Sequence, residues 1–535
     1  MNKNSTKCAI MDICKTAFIV IFSITIIISV HAVPPATANV KAGVEHVVVF
    51  DAGSSGTRVH VFNLYKREDG GPLPVVDITV RSKQTLKVKP GLSAFAEKLD
   101  MEGTKSAMLE LLDFANRFVP IAKRPRTPLL LKATAGLRAV KATSAEAVLE
   151  AVRNVFRKSE YQFVGPWVQI IPGYEEGGLS WVTANYLKGT FDPKANGKEN
   201  PATHDSESDS GSIGVLELGG GSLQVTMQVD AARKIPEKDR FDFKIPNGRS
   251  YHVFAHSYLG FGQDYAQTVA MEKHADKNTV NTVVPIKPAG DPCYPKGYER
   301  YWSVEGCEAS GTGTKELCAD AKSKIVKGLG NGGQCYDQAI AFLQNSGADA
   351  PGKYSIPPLR GHFIAIENFW YVRNDLNLPM KWGKDERNKA IHKACETTTV
   401  AESNLNKPKD PKGCFALSYQ NALIDTLKTR KENGAEVEII HEINGADVDW
   451  ALGAAIVHSI KKKSVIVVSD GIESYDTFKP TFMTVTFEMI GLMVAIAFLY
   501  MCFCRRLIFG FGKQGLSSST DGIGNGILGS ANKLV

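Results

Sequence analysis

Two segments of the chain place a carboxylate beside a short loop of glycine and serine. Asp51 follows the apolar run at residues 47–50 and leads into such a loop, and Glu217 stands just before another. Backbone N–H groups in a loop without bulky side chains can bind an anion such as phosphate. Carboxylates add the hard oxygen ligands that suit Mg²⁺ or Ca²⁺. The pattern therefore predicts two phosphate-binding loops, with Asp51 and Glu217 near a divalent cation.

These two loops contain the candidate phosphate ligands. A P-loop is excluded, because neither loop ends in Gly-Lys-Ser/Thr and each is followed by a strand instead of a helix. One glycine loop would be weak evidence, since glycine turns are common. Two acid-led copies, with Asp51 and Glu217 166 residues apart, are stronger evidence. The predicted phosphate-binding residues are Ser54, Ser55, Gly56 and Thr57 in the first loop, and Gly219, Gly220, Gly221 and Ser222 in the second.

A pair of adjacent carboxylates is a candidate for activating a water molecule. Glu175 and Glu176 stand in a glycine-flanked segment, residues 172–178, which we predict to be a turn before a helix at residues 179–187. A carboxylate held there could take a proton from an attacking water as a general base. Taken alone, however, the pair is better explained as acidic residues at a helix N-terminus, which are common.

Strands and helices alternate around these segments. Hairpins are predicted over residues 44–65 and 215–229, and a short buried strand over residues 129–131. Apolar periodicity predicts helices at residues 104–118 and 144–156, the second with its first residue, a serine, as the N-cap. Such alternation is typical of an α/β fold, and 535 residues with 43% hydrophobic side chains suffice for two core-forming domains.

One internal segment, residues 193–212, lacks the composition of a folded element. It is rich in Asn, Ser, Asp, Glu, Gly and Pro, and it is nearly free of apolar residues. Because such a segment cannot bury enough apolar surface to become ordered, we predict a disordered surface insertion. Its acidic residues suit a solvated loop better than a metal site.

Two apolar segments near the ends of the chain predict a membrane protein. Residues 1–33 combine three lysines with an apolar run, which indicates a cytosolic N-terminus with a signal anchor, or a cleaved signal peptide. Residues 482–504 are long enough to span a bilayer, and two arginines follow, so residues 505–535 are predicted to be a cytosolic tail. The region between should face the exterior or a secretory or endolysosomal lumen. Paired membrane segments are also compatible with a homo-oligomer.

The cysteines between the two apolar segments agree with this topology. There are six of them, and an even number in an oxidising compartment predicts three disulfides. A zinc site would require CxxC-type spacings, and none occurs among the six.

The charge of the chain argues against nucleic-acid binding. The formal net charge is +7, and the basic residues are spread along the sequence apart from the run at residues 461–463. A nucleic-acid-binding protein should carry a concentrated basic stripe. The run of three lysines is better explained as a solvated helix end or loop.

Between its apolar ends, the chain resembles the apyrases, the nucleoside triphosphate diphosphohydrolases. Five blocks appear in the order found in that family, and the third of them is the most specific. They are residues 50–58 (FDAGSSGTR), 132–138 (KATAGLR), 173–186 (GYEEGGLSWVTANY), 216–224 (LELGGGSLQ) and 449–453 (DWALG). Two positions depart from the family pattern: Glu217 stands where Asp is common, and Leu223 where Thr or Val is common. The longer Glu217 side chain would alter metal geometry or preference without removing the ligand type.

The resemblance implies a fold and an activity. The expected fold is of the actin/hexokinase type, with two RNase-H-like lobes around a central cleft and transmembrane helices at the ends. The first lobe would comprise residues 44–172 and 446–476, and the second residues 173–445. The expected activity is the stepwise removal of the terminal phosphate from nucleoside tri- and diphosphates by direct water attack, dependent on Ca²⁺ or Mg²⁺.

By motif position, the resemblance also implies roles for particular residues. Glu176 would be the general base, while Ser222 and Gln224 would position the attacking water. Thr134 would join the phosphate-binding residues, and Asp51 and Glu217 would serve the metal. The nucleobase would stack on aromatic residues, for which the candidates are Phe369, Trp370 and Tyr371; the alternative is that these side chains belong to the hydrophobic core.

Two of the predicted disulfides, Cys293–Cys335 and Cys395–Cys414, match family pairs. They leave Cys307–Cys318 as the third. Two functional alternatives stay open: an exopolyphosphatase of the same fold, and a catalytically weak nucleotide-binding receptor marked by Glu217.

Overall fold

A computed structural model describes one compact unit of the chain, Ala42–Val468. Its described residues are 43–67, 71–79, 84–191, 211–246, 250–267, 290–301 without 297, 325–380 without 379, 384–396, 413–428 and 435–468. Both predicted membrane segments, residues 193–210 of the predicted insertion, and the predicted pair Cys307–Cys318 lie outside these residues. Among the helices of the described residues, none is long and apolar enough to span a bilayer.

The first sheet has six strands and is mixed. Its strands are β1 (Glu45–Ala52), β2 (Thr57–Tyr65), β3 (Val75–Val76), β4 (Thr85–Val88), β5 (Leu129–Ala133) and β6 (Val168–Ile170). The order is β3-β2-β1-β5-β6, with β4 also paired to β2. Strand β1 runs antiparallel to β2 and parallel to β5, which in turn is parallel to β6. The predicted first hairpin and the predicted strand at residues 129–131 are both confirmed.

Four helices accompany this sheet: α1 (Leu92–Lys98), α2 (Met101–Asn116), α3 (Ala135–Arg138) and α4 (Ala142–Arg157). The apolar faces of α2 and α4 meet strands β1 and β5 in one core. Asp100 caps α2 by accepting a hydrogen bond from the Gly103 N–H at 2.8 Å. The predicted cap of α4 is wrong: Ser144 lies inside the helix, which follows Lys141 without any side-chain cap.

Helix α5 (Gly173–Lys188) begins earlier than predicted. The helix does not start at residue 179 after a glycine turn, because Gly177 and Gly178 are helical residues. A Cβ at Gly177 would lie 2.5 Å from the Thr226 Oγ1, and one at Gly178 would lie 2.1 Å from the Phe241 ring. These glycines therefore let the helix pack closely against the second sheet.

The second sheet repeats the pattern of the first. Its strands are β7 (Gly214–Leu218), β8 (Ser222–Gln228), β9 (Arg240–Lys244), β10 (Ser250–Leu259), β13 (His362–Glu367) and β14 (Glu436–Ile439), in the order β14-β13-β7-β8-β10-β9. Strand β7 is antiparallel to β8 and parallel to β13, as β1 is to β2 and β5. Two small antiparallel pairs complete the described strands. Strand β11 (Glu299–Tyr301) pairs with β12 (Ile325–Lys327), and β15 (Glu442–Ile443) forms a hairpin with β16 (Ala446–Asp447).

Four more described helices share one hydrophobic cluster with the second sheet: α6 (Gly332–Asn345), α7 (Asn368–Asp375), α8 (Lys384–Glu396) and α9 (Gly413–Lys428). Two disulfides confirm the corresponding predictions. Cys293–Cys335 ties α6 to the segment before β11, and Cys395–Cys414 joins α8 to α9. Short 3₁₀ turns lie at Ile121–Arg126, Gly165–Trp167 and Glu237–Asp239.

The last helix within the described residues, α10 (Trp450–Val468), packs against α5 and β1. One hydrophobic cluster includes residues of both helices and of both sheets, with Val49 of β1 and Ile364 of β13 among its members. Helices α5 and α10 therefore belong to a core that the two sheets share. The predicted lobe boundaries at residues 172–173 and 445–446 stay a prediction.

Candidate active site

The two predicted glycine loops lie next to each other. A Cβ built on Gly220 would be 2.8 Å from the Ser54 Oγ, and one built on Gly221 would be 3.0 Å from the Ala135 Cβ. The first loop joins β1 to β2, and the second joins β7 to β8, so each loop comes from the matching hairpin of its own sheet. The two copies of the repeated sequence pattern thus form two loops that lie side by side in the structure.

The predicted phosphate-binding residues are not equally accessible. Ser54 is half-buried, and Ser55 is exposed and accepts a hydrogen bond from the Lys87 Nζ at 3.1 Å. Gly56 and Thr57 are buried, and the Thr57 Oγ1 has no hydrogen-bond partner among the described residues. Gly219, Gly220 and Gly221 are half-buried, whereas Ser222 is buried. Of the side-chain hydroxyls, those of Ser54 and Ser55 are best placed to meet a ligand.

Thr134 lies at the end of β5, beside the first loop. Its N–H donates to the Ala52 carbonyl at 3.2 Å, and the residue immediately precedes α3. The parallel pairing of β5 with β1 places the ends of both strands together, so the second block of the sequence is next to the first.

Three predicted catalytic residues form one buried hydrogen-bond network. The Gln224 Nε2 donates to the Glu176 Oε2 at 3.3 Å and to the Ser222 Oγ at 2.7 Å. Ser257 of β10 joins it, with its Oγ 2.9 Å from the same nitrogen. Arg138 donates to the Glu176 Oε2 at 2.7 Å and lies 3.4 Å from the Ser222 Oγ. The network therefore fixes a carboxylate, a hydroxyl and an amide around one point.

The two adjacent glutamates have different surroundings. Glu176 is 6% exposed, and burial raises its pKa, while the Arg138 charge and hydrogen bond act in the opposite direction. The Glu175 Oε1 instead forms an ion pair with the Lys132 Nζ at 2.6 Å, in a more exposed position. Of the two, only Glu176 faces the Ser222 and Gln224 side chains, so the geometry distinguishes the two carboxylates, which their residue type alone could not.

Asp51 and Glu217, the predicted metal ligands, are both buried beside the loops. Burial raises the pKa of Asp51 to about 7, against the charge of Arg58. Burial, together with the negative charge of Glu176, raises the pKa of Glu217 well above its usual range, while a hydrogen bond from the Ser180 Oγ at 2.5 Å lowers it. Buried carboxylates so costly to ionise gain most from a nearby cation.

A test of fit to a divalent cation gives a mixed answer. The Asp51 Oδ1 is buried and accepts no hydrogen bond from the described residues, as expected of an atom that binds an ion or water. In the described part of the chain, however, no three of the carboxylates at the loops have ligand atoms within 4.8 Å of one another. The residues fit a site in which water and substrate oxygens supply most of the ligands.

Sequence reasoning missed three charged residues of the site: Arg138, described above, and the pair Arg58 and Glu367. The Arg58 Nη1 lies 3.6 Å from the Asp51 Oδ2 and 3.7 Å from the Glu367 Oε1, so the guanidinium joins β2 of one sheet to β13 of the other. Glu367 pairs with Leu218 and has a φ of 60°, in a region that non-glycine residues rarely adopt. The sequence pattern could have identified Glu367, because, like Asp51, it is an acidic residue directly after a buried apolar run.

The predicted base-stacking residues divide into two groups. Phe369 is fully buried in the hydrophobic core, so the prediction that its ring meets a nucleobase is wrong. Trp370 is half-buried and stacks on His441, with ring centroids 4.3 Å apart and an interplanar angle of 20°. The Tyr371 ring lies close to the same histidine, with ring centroids 5.7 Å apart. Trp370 and Tyr371 are the two that a ligand could reach.

Paired glycine loops around a buried glutamate network define a phosphohydrolase of the apyrase type. The chain belongs to the GDA1/CD39 (nucleoside phosphatase) family, which it matches over residues 38–471. The resemblance drawn from the five sequence blocks is thereby confirmed.

Relatives from plants and animals match most of the chain. Probable apyrase 4 of Arabidopsis thaliana is 30% identical over 470 residues, covering 83% of this chain and 86% of the relative. Ectonucleoside triphosphate diphosphohydrolase 5 of Bos taurus is 30% identical over 432 residues, covering 78% and 88%. Among solved structures, the nucleoside triphosphate hydrolases from Neospora caninum match with a TM-score of 0.58 at 16% identity, covering 79% of this chain and 93% of that one. That structural likeness concerns the fold.

Proposed function

We propose that this chain removes the terminal phosphate from nucleoside tri- and diphosphates, yielding the monophosphate and inorganic phosphate. The observation that carries the proposal is the network of Glu176, Ser222 and Gln224 beside the two glycine loops. A buried carboxylate with a hydroxyl and an amide around it suits the activation of one water molecule.

In the proposed reaction, each residue of the network has one task. Glu176 takes the proton from the attacking water, and Ser222 and Gln224 hold that water in line with the phosphorus. Arg138 favours the ionised form of Glu176, against the burial that raises the pKa of this carboxyl. The backbone N–H groups of both loops, with Ser54 and Ser55, bind the phosphate oxygens and stabilise the negative charge that develops on them.

Asp51 and Glu217 would hold a Ca²⁺ or Mg²⁺ ion, directly or through water. When bound, the ion supplies positive charge that neutralises the phosphate oxygens. Support comes from the Asp51 Oδ1, which accepts no hydrogen bond from the part of the chain that the structure describes, and from the burial of both carboxylates. Trp370 and Tyr371 would contact the nucleobase, since Trp370 already presents one face to a flat ring, that of His441.

The finer architecture belongs to the same proposal. We expect the two sheets, with the elements packed on each, to form lobes on either side of a nucleotide-binding cleft. The two disulfides support an oxidising compartment, because such bonds persist outside the cytosol. The catalytic region would then be extracellular or lumenal, anchored by the terminal segments, and protease protection of sealed vesicles measures this directly. Digestion of the catalytic region from the cytosolic side would overturn that topology.

Phosphate release from ATP, ADP, UDP, GDP and polyphosphate tests the proposed activity, with each assay run in Ca²⁺, Mg²⁺ or EDTA. We expect release from nucleoside tri- and diphosphates, little from polyphosphate, and none in EDTA. Faster release from polyphosphate than from any nucleotide would identify an exopolyphosphatase instead. Nucleotide binding without measurable release would identify a receptor.

A further inference from the structure

The small hairpin of β15 and β16 is held in one conformation. Glu442 pairs with Asp447 across it, and the two-residue turn uses Asn444 at φ 53° and Gly445 at φ 76°. Positive φ at both turn positions is typical of a tight type I′ turn. The Asn444 Nδ2 also donates to the Leu187 carbonyl at 2.7 Å, which anchors the turn on the end of α5. The backbone beneath Glu442 and Asp447 is therefore fixed.

His441 stands directly before this hairpin, and its ring is held from two sides. One face stacks on Trp370, and the Nε2 lies 3.0 Å from the Asp447 Oδ1. The His441 carbonyl accepts a hydrogen bond from the Val448 N–H at 2.9 Å, which closes the base of the hairpin. The imidazole thus points toward the same space as the Asp447 carboxylate.

A third donor completes the group. Ligand atoms of His441, Glu442 and Asp447 all lie within 4.8 Å of one another. Two of the three are held in place, and Glu442 is exposed, so its side chain can rotate toward a ligand. A nitrogen and two carboxylates on a rigid turn form a donor set that binds metal ions in proteins.

We propose that His441, Glu442 and Asp447 bind a first-row transition metal ion such as Zn²⁺, at a site separate from the one proposed for Ca²⁺ or Mg²⁺ at Asp51 and Glu217. Zinc binds nitrogen and oxygen at about 2.0–2.2 Å, so neighbouring donors stand roughly 3–3.5 Å apart. The 3.0 Å between His441 and Asp447 is already close to that spacing. An imidazole ligand favours Zn²⁺ over Ca²⁺ and Mg²⁺, and water would complete the shell.

Another histidine–aspartate pair provides an internal comparison. His252 and Asp242 lie 3.1 Å apart on neighbouring strands β10 and β9, with exposed side chains. Within the described residues they do not belong to a group of three ligands. A paired histidine alone is thus not the distinguishing feature of the proposed site; the third ligand and the rigid turn are.

Calorimetric titration of the purified full-length protein with ZnCl₂ tests the proposal, with Mg²⁺ in excess to occupy oxygen-ligand sites. Other zinc-binding groups in the chain are common to all variants, so the comparison with wild type isolates this site. We expect His441→Ala and Asp447→Asn to lose one equivalent of bound Zn²⁺, or to weaken it about 10-fold or more. His252→Ala should bind as wild type does.

Glu442→Gln guards against a folding artefact, because its side chain is exposed and carries little packing. It should weaken Zn²⁺ binding while the melting temperature without metal stays unchanged. Identical Zn²⁺ isotherms for wild type, His441→Ala and Glu442→Gln would overturn the proposal. The titration contains no nucleotide, so its outcome is independent of the proposed hydrolase activity.

Discussion

The Arg138 guanidinium donates a hydrogen bond to the Glu176 Oε2 at 2.7 Å, while its other Nη donates to the Ile171 carbonyl at 3.1 Å. The second contact holds the guanidinium in position, so the positive charge stays against the proposed base. Burial raises the pKa of Glu176, and Arg138 lowers it. The proton affinity of the base is therefore a balance of two opposing effects, and one of them can be removed.

Arg138→Gln should move the acid limb of the pH–rate profile to higher pH. Glu176 works only when ionised, and loss of the guanidinium leaves burial unopposed, so its pKa rises and activity is lost at a higher pH as the solution is acidified. The measurement is kcat/KM against pH for variant and wild type. Lys132→Gln, next to Glu175, is the control and should leave the limb in place. An unshifted limb in Arg138→Gln would show that Glu176 is not the titrating base.

Glu176→Gln should lower kcat by about 10²-fold or more, with nucleotide binding largely intact. The amide keeps the shape of the carboxylate but accepts a proton poorly. Glu175→Gln is the matched control, because Glu175 is bound to Lys132 away from Ser222 and Gln224. It should cost much less. Equal losses in steady-state assays of the two variants would contradict the assignment.

Glu217 can be tested through the cation. If it serves the metal, Glu217→Ala should raise the Ca²⁺ or Mg²⁺ concentration needed for half-maximal activity. Glu217→Asp should stay active with an altered preference between the two ions, because the shorter side chain changes the reach of the carboxylate. Cation titrations of initial rates measure both effects. If neither variant changed its metal dependence, Glu217 would be removed from the site and the receptor alternative would gain support.

The Arg58–Glu367 ion pair should be energetically coupled. Arg58→Met and Glu367→Gln together should destabilise the fold by less than the sum of the single changes, with a coupling free energy of about 1 kcal/mol. The reason is that Arg58→Met leaves the largely buried Glu367 without this partner, whereas Glu367→Gln leaves Arg58 with Asp51 alone. Urea unfolding of the four proteins gives the cycle. The exposed pair Arg117–Asp113 should show a coupling of about 0.5 kcal/mol or less, and an equally small value for Arg58–Glu367 would refute the prediction.

Gly453→Ala should destabilise the contact between α10 and α5. A Cβ at this position would lie 2.1 Å from the Leu179 carbonyl oxygen, which is backbone and cannot move aside easily. Overpacking of this kind costs about 1–3 kcal/mol. Thermal unfolding should show a melting temperature lower by about 1–3 °C, because a unit of this size shifts by roughly 1 °C per kcal/mol. Gly165→Ala, where a Cβ meets nothing within 4 Å, is the control, and an equal effect at both positions would argue against tight helix packing.

The elements that could be predicted from the sequence are those determined by residues close together in the chain. Alternating apolar residues and a glycine loop define each hairpin, which is why both were found at nearly the right bounds. The start of α5 was missed for the opposite reason. Gly177 and Gly178 look like a turn, and only their contacts with Thr226 and Phe241, far along the chain, show that they allow close helix packing.

The residues of the candidate site likewise divide into those that could be predicted from the sequence and those that could not. The loops could be named because the chain repeats one acid-led glycine pattern, which is stronger evidence than a single glycine turn, and Glu176 could be named because its block resembles a family. Sequence reasoning could not choose between Glu175 and Glu176 on their own, since the choice depends on which side of α5 faces Gln224. Arg58 and Glu367 are far apart in the chain, so their pairing required the tertiary structure.

The core that α5 and α10 share with both sheets limits which fragments of the chain can fold. Val49 and Ile364 belong to different sheets, yet they lie in one hydrophobic cluster. A fragment ending before α10 would expose that cluster to water, and so would a fragment starting after α5. Neither half can be expected to fold when expressed alone, because each would leave apolar side chains of the shared cluster uncovered. Any truncated form intended for crystallisation must therefore keep both helices.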